Sequence, residues 1–142
     1  MNDSPDATAK IILAEDDNDM RRFLVKALQT AGYDVASFDN GLSAYNRLRE
    51  EPFELLLTDI VMPEMDGIEA TRRIRDWEAQ GAPAVDGRRL PIVALTADAF
   101  AEDRERCLAC GMDDFLPKPL VASELARVLE RWTAPANPAW RA

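Results

Sequence analysis

Histidine is absent from all 142 residues. Within this chain that removes imidazole bases, histidine metal ligands and any role as a phosphohistidine donor. Cysteine is scarce. Cys107 and Cys110 are the two present, too few for a domain built on disulfides. Two cysteines with no histidine also fall short of the four ligands of a structural zinc site. No apolar run approaches the roughly 20 residues of a membrane helix, and no basic start followed by an apolar segment marks a signal peptide. The expectation is a soluble, cytoplasmic protein with no membrane association. Positive charge is in deficit: 17 Lys and Arg against 26 Asp and Glu leave a net charge of −9. So acidic a chain is a poor ligand for nucleic-acid phosphates, which need clustered cations, although Arg72, Arg73 and Arg75 lie close together.

What remains is a globular composition. Hydrophobic residues make up 47% and charged residues 30%, enough for a core and against disorder. The length fits one domain. The polar segment 1–8 reads as a disordered tail, residues 9–132 as the domain and residues 133–142 as a second tail. Short apolar runs, Ile11–Ala14, Tyr33–Phe38, Phe53–Asp59, Leu90–Thr96 and Asp114–Leu116, read as strands. Between them lie helical patterns. The first is capped by Asn18 or Asp19 and carries Met20, Phe23, Leu24, Ala27, Leu28 and Ala31 at three and four spacing. Others run over 42–49, 68–78, 98–109 and 122–132, the third with Trp77 and the last with Trp132 facing inward. Five alternations of strand and helix predict an α/β fold: a five-stranded doubly wound parallel sheet with helices on both faces. Residues 79–89 form a long loop rich in turn residues.

In such a sheet, ligands bind beyond the carboxyl ends of the strands. The first strand delivers Glu15, Asp16 and Asp17 there, the third Asp59 and the fourth Thr96, with Lys118 following the fifth. Alone, each reads as a helix cap, a loop acid or a surface lysine. Together they bring acids, a hydroxyl and an ammonium to one edge. Crowded carboxylates repel, and a hard cation such as Mg2+ relieves that conflict while keeping room for a phosphate oxygen. Lysine is a compact charge suited to an acid and a phosphoryl group, and a threonine hydroxyl donates to a phosphoryl oxygen. These are parts for phosphoryl transfer to a carboxylate.

Four stretches, "ILAEDD", "LLLTDIVMPEMDG", "IVALTA" and "FLPKPL", occur in that order. With them the sequence resembles the receiver domain of two-component response regulators, the family of the bacterial chemotaxis response regulator, over about residues 9–132. The resemblance implies a flavodoxin-like fold with strand order 2-1-3-4-5. It implies Asp59 as phosphoacceptor, with Thr96 and Lys118 holding the phosphoryl oxygens. It implies a Mg2+ site from Glu15, Asp16, Asp59 and the backbone carbonyl of Val61, with Asp17 and Asp98 just behind. Phe115 matches the aromatic switch position, which would turn with Thr96. The implied phosphodonor is a histidine kinase or histidine phosphotransfer protein, and no DNA-binding domain is expected; the downstream target is not legible. Val61 is apolar and cannot orient a water, which predicts slow self-dephosphorylation.

Two stretches, "MDGIEATRRIRDWEAQG" and "RCLACGMDDFLPKPL", resemble receivers fused to hybrid histidine kinases, while the front half resembles stand-alone alphaproteobacterial receivers. A natural mosaic, an excised hybrid-kinase domain and an engineered chimera are all consistent with this. An aspartyl-phosphate phosphatase is disfavoured, because such enzymes carry D-x-D after the first strand and Asp59 follows the third. A receiver that only binds partners is disfavoured by the complete acid, threonine and lysine set. Cys107 and Cys110 read as small apolar residues near a helix end rather than a redox pair, which acts at a helix start.

Overall fold

The computed structural model describes residues 9–60, 62, 64–81, 89–96, 101–118 and 120–133. Along them run β1 (Lys10–Ala14), α1 (Asn18–Thr30), β2 (Asp34–Phe38), α2 (Gly41–Leu48), β3 (Leu55–Asp59), α3 (Gly67–Ala79), β4 (Ile92–Thr96), α4 (Ala101–Cys110), β5 (Asp114–Pro117) and α5 (Ala122–Trp132). The expectations for segments 1–8, 82–88 and 134–142 lie outside the described residues.

The strands form one sheet in the order β2-β1-β3-β4-β5. Each neighbouring pair is parallel, with Ile11 beside Val35 and Leu55, Leu56 beside Ile92, and Ala94 beside Phe115. The central strands are near-continuous apolar runs because helices cover both of their faces. Alternate side chains then serve opposite layers. Ile11, Leu13, Leu55 and Leu57 pack with Leu24 and Leu28 of α1 and Leu125, Val128 and Leu129 of α5. Ile12, Leu56, Ile92 and Ala94 pack with Ala44 and Leu48 of α2 and Ile74 of α3.

Local chemistry sets the helix starts. Asp17 caps α1, its Oδ1 accepting from the Met20 N–H at 3.0 Å. The expected caps, Asn18 and Asp19, are instead already helical: Asp17 has the extended φ and ψ that a cap requires. Asn40 caps α2 through the Ser43 N–H at 2.8 Å, and Asp66 caps α3 through the Glu69 N–H at 2.8 Å. Phe23 departs from the expected inward face of α1 and is 52% exposed. It lies about 100° around the helix from buried Leu24, at the margin of the stripe, beyond what the sheet covers. Thr133, expected in the tail, is buried; its hydroxyl bonds the Leu129 carbonyl at 2.6 Å and the Tyr33 hydroxyl at 3.2 Å.

Candidate functional site

The carboxyl edge of β1 does not stop at its last strand residue. The Glu15 N–H donates to the Phe38 carbonyl at 2.9 Å, extending the ladder with β2 by one step. This draws the Glu15 side chain fully inside, at 0% exposure, while Asp16 beside it stays exposed. Glu15 Oε2 accepts from the Asp17 N–H at 3.1 Å. Glu15 Oε1 lies 2.9 Å from Lys118 Nζ as an ion pair, yet has no hydrogen bond of good geometry. Burial pushes the Glu15 carboxyl above its ordinary range, with the Asp59 charge adding to that push against Lys118 and the Asp17 N–H. The guanidinium of Arg21 steadies the same turn, donating to the Glu15 carbonyl at 2.8 Å and to Asn18 Oδ1 at 2.6 Å.

Asp59 closes β3 with its side chain 15% exposed. Its Oδ1 accepts from the Ile60 N–H at 2.8 Å and its Oδ2 from Lys118 Nζ at 3.2 Å. Lys118 follows β5, where its own N–H donates to the Thr96 carbonyl at 2.7 Å, tying the ends of β4 and β5 together. Its burial works against the charge, but the close ion pair with Glu15, the bond to Asp59 and the fields of both carboxylates outweigh it, so the ammonium is held above the usual lysine range. Thr96 is buried at 5% exposure, one residue beyond Leu95, the register partner of Asp59.

Three oxygens, one each from Glu15, Asp16 and Asp59, lie within 4.8 Å of one another. All are hard carboxylate donors, and the Glu15 carboxylate among them has an oxygen, Oε1, with no hydrogen bond of good geometry. That set fits a small divalent cation such as Mg2+.

This edge is also where the chain matches known proteins. Residues 11–130 match the family described as the response regulator receiver domain. The chain belongs to that family. The receiver protein CpdR of Brucella abortus is 80% identical over 64 residues, which cover 45% of this chain and 53% of that protein, so the match spans about half of CpdR's length. The receiver domain of the sensor histidine kinase PA1611 from Pseudomonas aeruginosa, solved with magnesium in its active-site cleft, is 38% identical with a TM-score of 0.76, covering 89% of this chain and 98% of that one. The receiver domain of Saccharomyces cerevisiae Ssk1, solved with the histidine phosphotransfer protein Ypd1, is 28% identical with a TM-score of 0.83, covering 91% of each chain.

The remaining residues singled out in the receiver's sequence are placed as follows. Asp17 turns its carboxylate to cap α1 and offers only its N–H to Glu15. Phe115 is half-buried on the layer that holds α2 and α3. Val61 and Asp98 lie outside the described residues. Cys110 is half-buried and burial pushes its thiol up, which opposes the thiolate that redox chemistry needs. Two residues that matter here were given no role of their own by the sequence reading, although Gly67 closes one of the stretches that carry the family resemblance. Arg21 looks like a solvated helix residue until the fold brings it back to Glu15. Gly67 looks like an ordinary turn glycine, yet its N–H donates to Ile60 and a Cβ there would fall on the Asp59 carbonyl oxygen. Among the described residues no helix is long and apolar enough to cross a membrane.

Proposed function

We propose that residues 9–132 act as the phosphoacceptor unit of a two-component phosphorelay, with Asp59 as the acceptor. The observation that carries this reading is the position of Asp59: its carboxylate is paired with Lys118, grouped with Glu15 and Asp16, and still in reach of solvent. A carboxylate oxygen attacks the phosphorus of a phosphohistidine, the P–N bond breaks, the imidazole leaves with a proton, and an acyl phosphate remains on Asp59. The donor is a histidine kinase or a histidine phosphotransfer protein, because this chain has no histidine. Glu15, Asp16, Asp59 and the Val61 carbonyl would hold Mg2+. When bound, it supplies positive charge that neutralises the crowded carboxylates and the incoming phosphoryl oxygens. Lys118 releases Asp59 to bind a phosphoryl oxygen, and the Thr96 hydroxyl donates to another. Phosphate adds roughly −1.5 to −2 charge at this edge. Movement of Thr96 toward it leaves space for Phe115 to turn inward, a shift between two packings of one fold. The unit alters itself and turns over no free substrate, and it works in the cytoplasm where kinases and their partners meet it.

Incubation with Mg2+ and a small acyl phosphate, followed by intact mass, tests this. The expected result is a single added phosphoryl group, lost without Mg2+ and lost in Asp59→Asn. An added group that persists in Asp59→Asn overturns the assignment of Asp59. Steady turnover of phosphate monoesters overturns the relay reading in favour of a hydrolase.

A further inference from the structure

Of the three carboxylates at the carboxyl edge, that of Asp16 has the least support. Glu15 is buried, and Asp59 accepts from the Ile60 N–H and from Lys118. Asp16 is exposed, and among the described residues no hydrogen bond or ion pair holds its carboxylate. Yet one of its oxygens lies within 4.8 Å of an oxygen from each of the other two. The backbone must therefore aim it. Peptide units are planar, so holding the unit on either side of Asp16 fixes its φ and ψ, and with them the direction of its Cβ.

Both units are held. The one after Asp16 is fixed by the Asp17 N–H, which donates to Glu15 Oε2 at 3.1 Å. The one before it is fixed by Arg21, whose Nη1 donates to the Glu15 carbonyl at 2.8 Å. The backbone N–H of Arg21 also takes the Asp17 carbonyl, at 2.9 Å. Its Nη2 donates to Asn18 Oδ1 at 2.6 Å, so the guanidinium is attached at two points. A planar fork suits such a double attachment, and an ammonium does not. Arg22, one residue on, pairs instead with Asp19 at 3.5 Å, both side chains being largely exposed. Charge alone argues against an arginine at this place. A guanidinium at the edge of an acidic group repels an incoming divalent cation. Its bonds to the backbone account for it where its charge does not.

We propose that Arg21 is a positioning residue for the divalent-cation site: by holding the Glu15 carbonyl it aims the Asp16 carboxylate toward those of Glu15 and Asp59, and so sets Mg2+ affinity without touching the ion or the phosphoryl group. This rests on the reading of that edge as a Mg2+ site. Magnesium titrations followed by amide NMR shifts, on the full chain and its variants, test it. Arg21→Met keeps an apolar stem without donors and is expected to weaken Mg2+ binding about ten-fold. Arg21→Lys keeps the charge but not the fork and recovers part of that loss. Asn18→Ala weakens binding less, and adds nothing in the Arg21→Met background, because both act through one guanidinium. Arg22→Met removes the same charge one residue away and does not weaken binding. In phosphorylation by a small acyl phosphate, Arg21→Met raises the Mg2+ concentration needed for half the maximal rate. The rate at saturating Mg2+ stays close to the parent's, a split that a general loss of stability does not produce. Equal affinities in Arg21→Met and Arg22→Met overturn the proposal. So does tighter binding in Arg21→Met, which would leave the guanidinium as a repelling charge only. Should Arg21→Met fail to fold, Arg21→Lys and Asn18→Ala decide, and full parental affinity in both overturns it. A parent chain that binds no Mg2+ overturns the reading of the site itself, and this proposal with it.

Discussion

Single residues in this receiver carry costs that contact lists conceal. Tyr33 is buried beneath the end of α5, and burial raises its phenol above the ordinary value. Below pH about 10 the phenol is neutral in both folded and unfolded chains. Above that value only the unfolded chain ionises at first, so stability falls as pH rises until the folded phenol also ionises. Tyr33→Phe gives up the bond to Thr133, a loss of about 1 kcal/mol at neutral pH. It also removes the alkaline loss, so the denaturant midpoints of the two proteins should converge above pH about 10; midpoints that stay parallel there contradict this. Glu64 presents the opposite case. It is exposed, and its φ of 69° lies in the left-handed region. Asparagine tolerates that region better, so Glu64→Asn should raise stability by roughly 0.5–1 kcal/mol and the melting temperature by a few degrees, with no change in metal affinity.

At the scale of elements, most of the architecture was legible because apolar periodicity and helix stops are local properties. The alternation of strand and helix, the parallel sheet and the end of α5 at Trp132 follow from runs and spacings that the chain displays directly, while the strand order came from the family resemblance. What was not legible depended on neighbours. The spacing of α1 includes Phe23, but only the width of the sheet beneath decides that Phe23 stays outside. The acids of β1 form one run in the sequence, yet pairing with Phe38 buries Glu15 and leaves Asp16 in solvent. The turn between β3 and α3 shows the same dependence. A Cβ at Gly41 would fall on the Met65 carbonyl oxygen, and one at Gly67 on the Asp59 carbonyl oxygen. Both Gly→Ala variants should cost about 1–3 kcal/mol through overpacking. They should differ at the acidic site. Gly67→Ala moves the backbone of Asp59 itself and should weaken Mg2+ binding about ten-fold or more, while Gly41→Ala presses on the far end of the turn and should change it little. Magnesium titrations followed by NMR on the two proteins check the contrast, and equal losses would remove Gly67 from the support of Asp59.

Taken whole, the molecule divides its polar groups between two edges of one sheet. The carboxyl edge gathers acids that repel one another, relieved among protein groups chiefly by Lys118. The amino edge is fastened by groups that satisfy one another, and Arg75 is the centre of that fastening. Its guanidinium donates to the Gly111 carbonyl at 2.9 Å, to Glu78 and the Leu90 carbonyl at 2.8 Å, and to Asp113 at 2.8 Å. Asp113 in turn accepts from the Ile92 N–H at 2.9 Å, and Glu78 from the Leu90 N–H at 2.7 Å. One side chain thus holds α3 to the starts of β4 and β5. Arg75→Ala would leave Asp113, whose side chain is only 9% exposed, with Arg89 and the Ile92 N–H as its partners, and would take the guanidinium away from the Gly111 carbonyl. The expected loss is about 2–3 kcal/mol, below the full cost of breaking a buried pair because Arg75 itself keeps some contact with water. The melting temperature should fall by roughly 5–10 °C. Arg75→Lys keeps the charge but not the planar fork that reaches four acceptors at once, so it should restore less than half of that loss. Since this edge is remote from Asp59, phosphorylation by a small acyl phosphate should survive in both variants below their melting temperatures. Full rescue by lysine would mean that charge alone matters here; loss of phosphorylation in a folded Arg75→Ala protein would mean that the two edges are coupled through β4 and β5.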